Sequence, residues 1–126
     1  MKKIIQTPYA PAPIGPYNQA VMIGNMLYTS GQIALNPETG ELEIADIESE
    51  TERVMQSLIA ILEAANMTFE NVIKSTIFIS DMNNFAKINA IYGKYFNEAT
   101  APARETVQVS VLPKNVNIEI SMIAAL

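Results

Sequence analysis

Cysteine and histidine are both absent from this 126-residue chain, and basic residues are few. Without cysteine there is no disulfide framework, no thiolate nucleophile and no thiolate metal site. Without histidine, Ser-His-Asp and Cys-His mechanisms drop out, together with almost all zinc sites and every haem ligated by His or Cys. Eight Lys and Arg against 13 Asp and Glu give a net charge of -5. The eight are scattered from Lys2 to Lys114, with no stripe that could follow a phosphate backbone, so nucleic acid is a poor partner. No apolar run reaches transmembrane length. After Met1-Lys2-Lys3 the Ile4-Ile5 pair is stopped by Gln6 and Pro8 before it becomes a signal-peptide core, which reads as a cytoplasmic protein without a membrane partner. Chemistry is left to Arg, Glu, Asp, Tyr, Thr, Ser, Lys, backbone groups and water.

What is present is apolar. Hydrophobic residues make up 49% of the chain and charged ones 17%, and a mean hydropathy of +0.15 is high for a soluble protein of this size. Part of that surface is expected in an oligomer interface. The length supports one core, a single domain over residues 1–126. Ala20-Val21-Met22-Ile23 and Met26-Leu27-Tyr28-Thr29 read as strands joined by a tight Gly24-Asn25 turn, and Asn36 to Gly40 as a further turn. From Asp46, a candidate N-cap, to about Asn66 the residues Ile47, Val54, Leu58, Ile61, Leu62 and Ala65 recur at helical spacing, with Glu48, Glu50, Glu52 and Arg53 on the other faces. Val72 to Ser80 is a β-branched strand. Asp81 caps a second helix with Phe85, Ile88, Tyr92 and Phe96 on one stripe. Thr106 to Leu112 and Val116 to Ala124 read as alternating strands of a hairpin around Pro113-Lys114-Asn115. The class is α+β: a mixed sheet with two helices on one face. In the last two strands one face is apolar; the polar one looks at water or at a cavity between copies of the chain, and Ile123 favours the cavity.

Arg104, behind the rigid Pro102-Ala103 step, is one of two arginines. It presents a bidentate fork to a carboxylate, or else pairs with Glu98 or Glu105 at the surface. Ion pairing in the Glu-rich helix accounts for the other, Arg53. Glu119 is the only acid inside the final strand, so it faces solvent or is paired in a site. In the expected hairpin it lies opposite a residue near Val109, about 15 Å from Arg104 at strand rise. Such a separation suits a site shared between chains. Tyr17 on the Gly15-Pro16 loop lines a site or caps the sheet edge. Gly31, after Thr29-Ser30, permits close backbone approach or marks a bulge. Asn89 lies one step off the apolar stripe of the second helix.

Taken in order, Ala12-Pro13-Ile14-Gly15-Pro16-Tyr17, Thr29-Ser30-Gly31-Gln32-Ile33, Asn36-Pro37 through Glu41, Asn89-Ala90-Ile91-Tyr92, Pro102-Ala103-Arg104 and Leu112-Pro113-Lys114 through Ile118-Glu119-Ile120 resemble the RidA (YjgF-type) reactive-intermediate deaminase family nearly end to end. The resemblance implies a chorismate-mutase-like fold assembled as a homotrimer with clefts between subunits. It implies hydrolysis of 2-aminoacrylate and 2-aminocrotonate to 2-oxo acids and ammonia, with no cofactor and no metal. Arg104 would bind the substrate carboxylate, the backbone around Gly31 and Thr106 would add hydrogen bonds, and Glu119 would orient or activate water. Tyr17, Ser30 and Asn89 would line the cleft. The chain departs from the family pattern at Arg104-Glu105-Thr106, where Arg-Ser-Cys is common, and at Ser121, where a second acid is common. It is also about two residues shorter before Pro102. A non-catalytic trimer that binds 2-oxo acids fits the same residues. A nuclease fits the sequence pI of 4.6 poorly, and a chorismate mutase would need more arginine.

Overall fold

The computed structural model describes all 126 residues. Six strands, β1 (Lys2–Ile5), β2 (Ala20–Ile23), β3 (Met26–Thr29), β4 (Val72–Ile79), β5 (Ala103–Gln108) and β6 (Ile118–Ala125), form one sheet in the order β1-β2-β3-β6-β4-β5. Two helices, α1 (Ile47–Ala64) and α2 (Phe85–Gly93), complete the α+β architecture.

Local chemistry explains most boundaries. Gly24, at φ +57°, makes the left-handed turn that closes the β2–β3 hairpin. Asp46 stands in extended backbone and accepts from the Ser49 amide at 2.7 Å, capping α1. Val54, Met55, Leu58, Ile61 and Leu62 of α1 are almost fully buried against Ile77 and Ile79 of β4 and Ile118, Ile120 and Met122 of β6. Full burial of each such side chain contributes about 1.5–3 kcal/mol. Asp81 caps a single 3-10 turn, Met82–Asn84, by accepting from the Asn83 amide, and α2 begins after it.

Three expectations are corrected. β5 and β6 do not form a hairpin: β5 runs parallel to β4, Arg104 opposite Ser75, and β6 is antiparallel to β4 on its other side. The parallel pairing follows from the α2 crossover between β4 and β5. The Pro113–Asn115 turn, with Lys114 at φ 54° and Asn115 at φ 60°, carries the chain over the end of β4. Accordingly Val107, the one valine within β5, does not face the helices and is 44% exposed, while Val109 and Val111 lie beyond the end of the strand. Glu50, placed by periodicity on an outer face of α1, is fully buried. Arg53 makes no ion pair, since the one ion pair of the chain joins Lys74 to Glu105 at 3.5 Å. Strand β1 had no counterpart in the sequence reading.

Alternation in β6 holds as expected: Ile118, Ile120 and Met122 are buried and Glu119, Ser121 and Ile123 face the other way. That open face is polar only around Glu119 and Ser121. Along the register it continues as Ile123, Tyr28, Val21 and Ile4 on one side and Phe78 and Val107 on the other. Tyr28 at 43% and Val107 at 44% exposure show that no element of the chain covers it.

Candidate active site

The residues singled out in the sequence gather into two groups on opposite faces of the sheet. The first lies at the open face, where the Pro11–Tyr17 loop, the Ser30–Leu35 segment and the turn at Pro113-Lys114 surround a cleft of about 590 Å³. Tyr17, Ser30, Gly31 and Glu119 line it. The loop is fixed by Gln19, whose buried side-chain amide accepts from the Thr7 amide at 2.7 Å and donates to the carbonyls of Thr7, Ala10 and Pro11. The Tyr17 hydroxyl accepts from the Ile14 amide at 3.2 Å, bracing the loop while its ring stays at the cleft. Ser30 is anchored at both ends, its amide on the Gln19 carbonyl and its hydroxyl on that of Asn18.

Gly31 and Glu119 explain each other. A methyl group added at Gly31 would sit 2.7 Å from Cδ and 2.9 Å from Cγ of Glu119, so the carboxylate side chain lies directly over the glycine. Backbone bonds between Gln32 and Ile120, at 2.8 and 3.1 Å, hold the two segments together. Burial alone raises the Glu119 carboxyl above its ordinary value of 4.5, with no hydrogen bond or counter-charge opposing it. The close approach that glycine permits at position 31 is therefore made first by Glu119.

The second group lies on the helix face at the sheet edge. Arg104 points at α2, where its Nη1 donates to Asn89 Oδ1 at 2.7 Å. The guanidinium stands 5.1 Å from the ring centre of Tyr92 and 5.6 Å from that of Phe85. Tyr92 is held by its hydroxyl donating to Ser75 Oγ at 2.9 Å, and burial raises its pKa above the ordinary 10.0, so it keeps its proton. Neither Glu98 nor Glu105 pairs with Arg104. With one edge on Asn89, the planar fork leaves its remaining donors for a ligand. Thr106, next along that face, has a buried hydroxyl with no partner in the chain. Sequence reasoning read Phe85 and Tyr92 only as core stripe. The signal for their role was spacing, because Phe85, Asn89 and Tyr92 at i, i+4 and i+7 share one helical face.

Arg104 and Glu119 thus do not converge within one chain. Arg104 pairs with Ser75 and Glu119 with Phe78, neighbours of opposite parity on β4. No cluster of His, Cys, Asp and Glu could hold a metal ion.

Residues 7–126 match the family model described as Endoribonuclease L-PSP. Among curated relatives, a RutC family protein of Synechocystis is 52% identical over 128 residues, covering 98% of this chain and 96% of that protein. The 2-iminobutanoate/2-iminopropanoate deaminase of Escherichia coli K12 is 48% identical over 126 residues, covering 98% of both. A crystal structure of E. coli TdcF with bound serine superposes with a TM-score of 0.92 at 45% identity, covering 98% of each chain. The chain belongs to this family, the RidA (YjgF-type) family that its motifs resemble. Some curated relatives are deaminases, and others carry only a family name. No helix is long and apolar enough to cross a membrane.

Proposed function

We propose that the chain is a cofactor-independent deaminase that hydrolyses 2-imino acids and their enamine tautomers, 2-aminoacrylate and 2-aminocrotonate, to 2-oxo acids and ammonia in the cytoplasm. The observation that carries this reading is the pairing of an open arginine fork with a desolvated, unpaired carboxylate in groups that only two copies of the chain could bring together. Arg104, braced by Asn89 and stacked over Tyr92 and Phe85, grips the substrate carboxylate, and the backbone at Thr106 adds a donor. The imine carbon then stands beside Glu119 in the cleft of the neighbouring copy, with Tyr17, Ser30 and the Gly31 backbone around it. Glu119 accepts a proton from water as the oxygen adds to the imine carbon. It passes that proton to the imine nitrogen, giving a carbinolamine, then takes the carbinolamine hydroxyl proton and delivers it to nitrogen as the C–N bond breaks, leaving the 2-oxo acid and ammonia. An imine carbon is electrophilic already, so holding it and placing water suffice. A homotrimer burying the open apolar sheet face would supply three such sites and cover residues such as Tyr28, Ile123 and Val107. The name of the E. coli deaminase relative agrees with this activity.

A threonine or serine dehydratase coupled to the protein tests the reading by the rate of 2-oxo acid release. Wild type accelerates it; Arg104→Ala and Glu119→Gln do not. Mixed and reassembled, those two inactive variants recover activity at about a quarter of the sites, since each shared site needs one intact half from each copy. Failure of mixing to restore any rate would show that Arg104 and Glu119 do not act together in one shared site. The serine-bound TdcF structure favours a second reading, capture of small acids without turnover. It prevails if wild type binds a 2-oxo acid but leaves the release rate unchanged.

A further inference from the structure

Glu50 is the only fully buried carboxylate of the chain. It lies on α1, on the helix side of the sheet, with no cation beside it, since the sole ion pair is elsewhere. Its two oxygens instead accept three hydrogen bonds from one short stretch of backbone and side chain. Oε2 receives the Asn117 amide at 2.7 Å and the Ile118 amide at 3.2 Å, and Oε1 receives Asn117 Nδ2 at 2.7 Å. Asn117 is gripped from its other side by Ser80, whose amide donates to its carbonyl at 3.1 Å and whose hydroxyl donates to its Oδ1 at 3.3 Å. Helix α1, the end of β4 and the start of β6 therefore meet on one asparagine, two residues before Glu119.

Packing does not ask for a carboxylate at this position. An apolar side chain would avoid the desolvation cost of a buried carboxyl group, which is tolerated only where hydrogen-bond donors replace water. What an apolar residue would not do is hold two successive amides at the point where β6 leaves the turn. A slip or change of pitch there moves every following side chain, and Glu119 is the first to face the open side. The Gln32–Ile120 bridge fixes the strand just beyond it, so Glu119 hangs between two fastened points. Glu50 itself faces away from the cleft and touches no substrate.

We propose that Glu50 is a positioning residue for Glu119: by clamping Asn117 it fixes where β6 begins and hence where the Glu119 carboxylate stands over Gly31. The inference rests on the deaminase reading. Its test exchanges the two side-chain types. Asn117→Asp sets a carboxylate against Glu50 and breaks the clamp. The double variant Glu50→Gln/Asn117→Asp restores it, with the amide introduced on α1 donating to the carboxylate introduced before β6 while its oxygen still accepts both backbone amides. Increasing dehydratase flux sets the imine concentration and yields apparent kcat and KM. The kcat of Asn117→Asp falls about tenfold or more, the scale of a displaced catalytic group, with KM nearly unchanged because Arg104 sits on another strand. The double variant recovers to within about threefold of wild type, as a restored geometry requires, whereas Glu50→Gln alone, whose amide meets that of Asn117 donor to donor, loses the side-chain bond and lowers kcat.

A folded Asn117→Asp protein with wild-type kcat, a loss carried by KM, or a double variant as impaired as the single one overturns the proposal. Where Asn117→Asp does not fold, Asn117→Ala, which removes one of the three bonds, decides in its place. A lower kcat at constant KM supports the clamp and no change refutes it. If wild type itself fails to accelerate release, the deaminase reading falls and this inference falls with it. If wild type is active, Glu119→Gln is not, and the Glu50 and Asn117 series is flat, this inference alone fails.

Discussion

Replacing Gly31 by alanine isolates the placement of Glu119 from everything else in the cleft. Gly31 is not in the left-handed region, so alanine introduces no backbone strain. The added methyl group would overlap Oε2 of Glu119 and meet Cδ at 2.7 Å and Cγ at 2.9 Å, whereas carbon atoms in contact prefer about 3.5–4.0 Å. The carboxylate must therefore retreat by about 1 Å, and a misplacement of that size costs up to about a hundredfold in rate. Expressed as an activation barrier, that is about 2.7 kcal/mol. Stability should hardly change, because Glu119 is only partly buried and an off-rotamer side chain costs about 0.5–1.5 kcal/mol. The coupled dehydratase assay measures the first quantity and thermal denaturation the second. Gly31→Ala is expected to lose most of its kcat, to match Glu119→Gln closely and to keep a near-normal Tm. Near-normal kcat in a folded Gly31→Ala protein would show that the Glu119 position is not what the reaction uses. A loss confined to KM would mean that the methyl group blocks substrate rather than displacing the carboxylate.

Arg104→Lys is expected to lose roughly 10- to 100-fold in kcat/KM, the value of a charge-assisted bidentate pair worth about 1.5–3 kcal/mol, because an ammonium cannot reproduce the fork. Saturation kinetics with increasing imine supply would check it, and full activity would remove Arg104 from the carboxylate role. Burial raises the folded-state pKa of Glu119 above 4.5, so its ionisation opposes folding as pH rises through that raised value. Thermal melts should find Glu119→Gln more stable than wild type at neutral pH, with the difference vanishing below pH 4.5. The Asp46 cap has the opposite sign: its hydrogen bonds to Ser49 lower its pKa below 3.8. Asp46→Ala should lower Tm at neutral pH, with the gap to wild type closing as acid protonates the cap through that lowered value.

Legibility in the sequence followed the range of the interactions involved. The α1 stripe, the Asp46 cap and the β2–β3 hairpin depend on contacts within a few residues, and periodicity and turn chemistry located all three. Strand β1 escaped because Lys2-Lys3-Ile4-Ile5 shows no alternation; only its pairing with β2 makes it a strand. Glu50 was misplaced for a related reason. A hydrophobic pattern assigns every acid to the surface, and the donors that make its burial tolerable lie 67 and 68 residues away. Arg104, Glu119 and the cleft residues were legible as an ordered set of motifs, while Phe85 and Tyr92 beneath the guanidinium were not, since an aromatic stripe serves a core equally well.

The mistaken β5–β6 hairpin bears directly on the site. Paired as neighbours, Arg104 and Glu119 would have been separated by distance alone, and a flexible substrate or a side-chain movement could close about 15 Å only in part. The actual order sets β4 between them, and the register then fixes their faces: Arg104 beside Ser75 under the helices, Glu119 beside Phe78 on the open side. Because side chains alternate with a period of two, no rotamer change or loop motion brings residues of opposite parity through a hydrogen-bonded sheet to the same side. If both act on one substrate, a second copy of the chain must present one of them. The same open face that carries Glu119 also carries the uncovered Tyr28, Ile123 and Val107. Assembly and catalysis are then a single requirement, so a charge placed on the open face far from either group, such as Tyr28→Glu, should abolish turnover by leaving the chains apart while each remains folded.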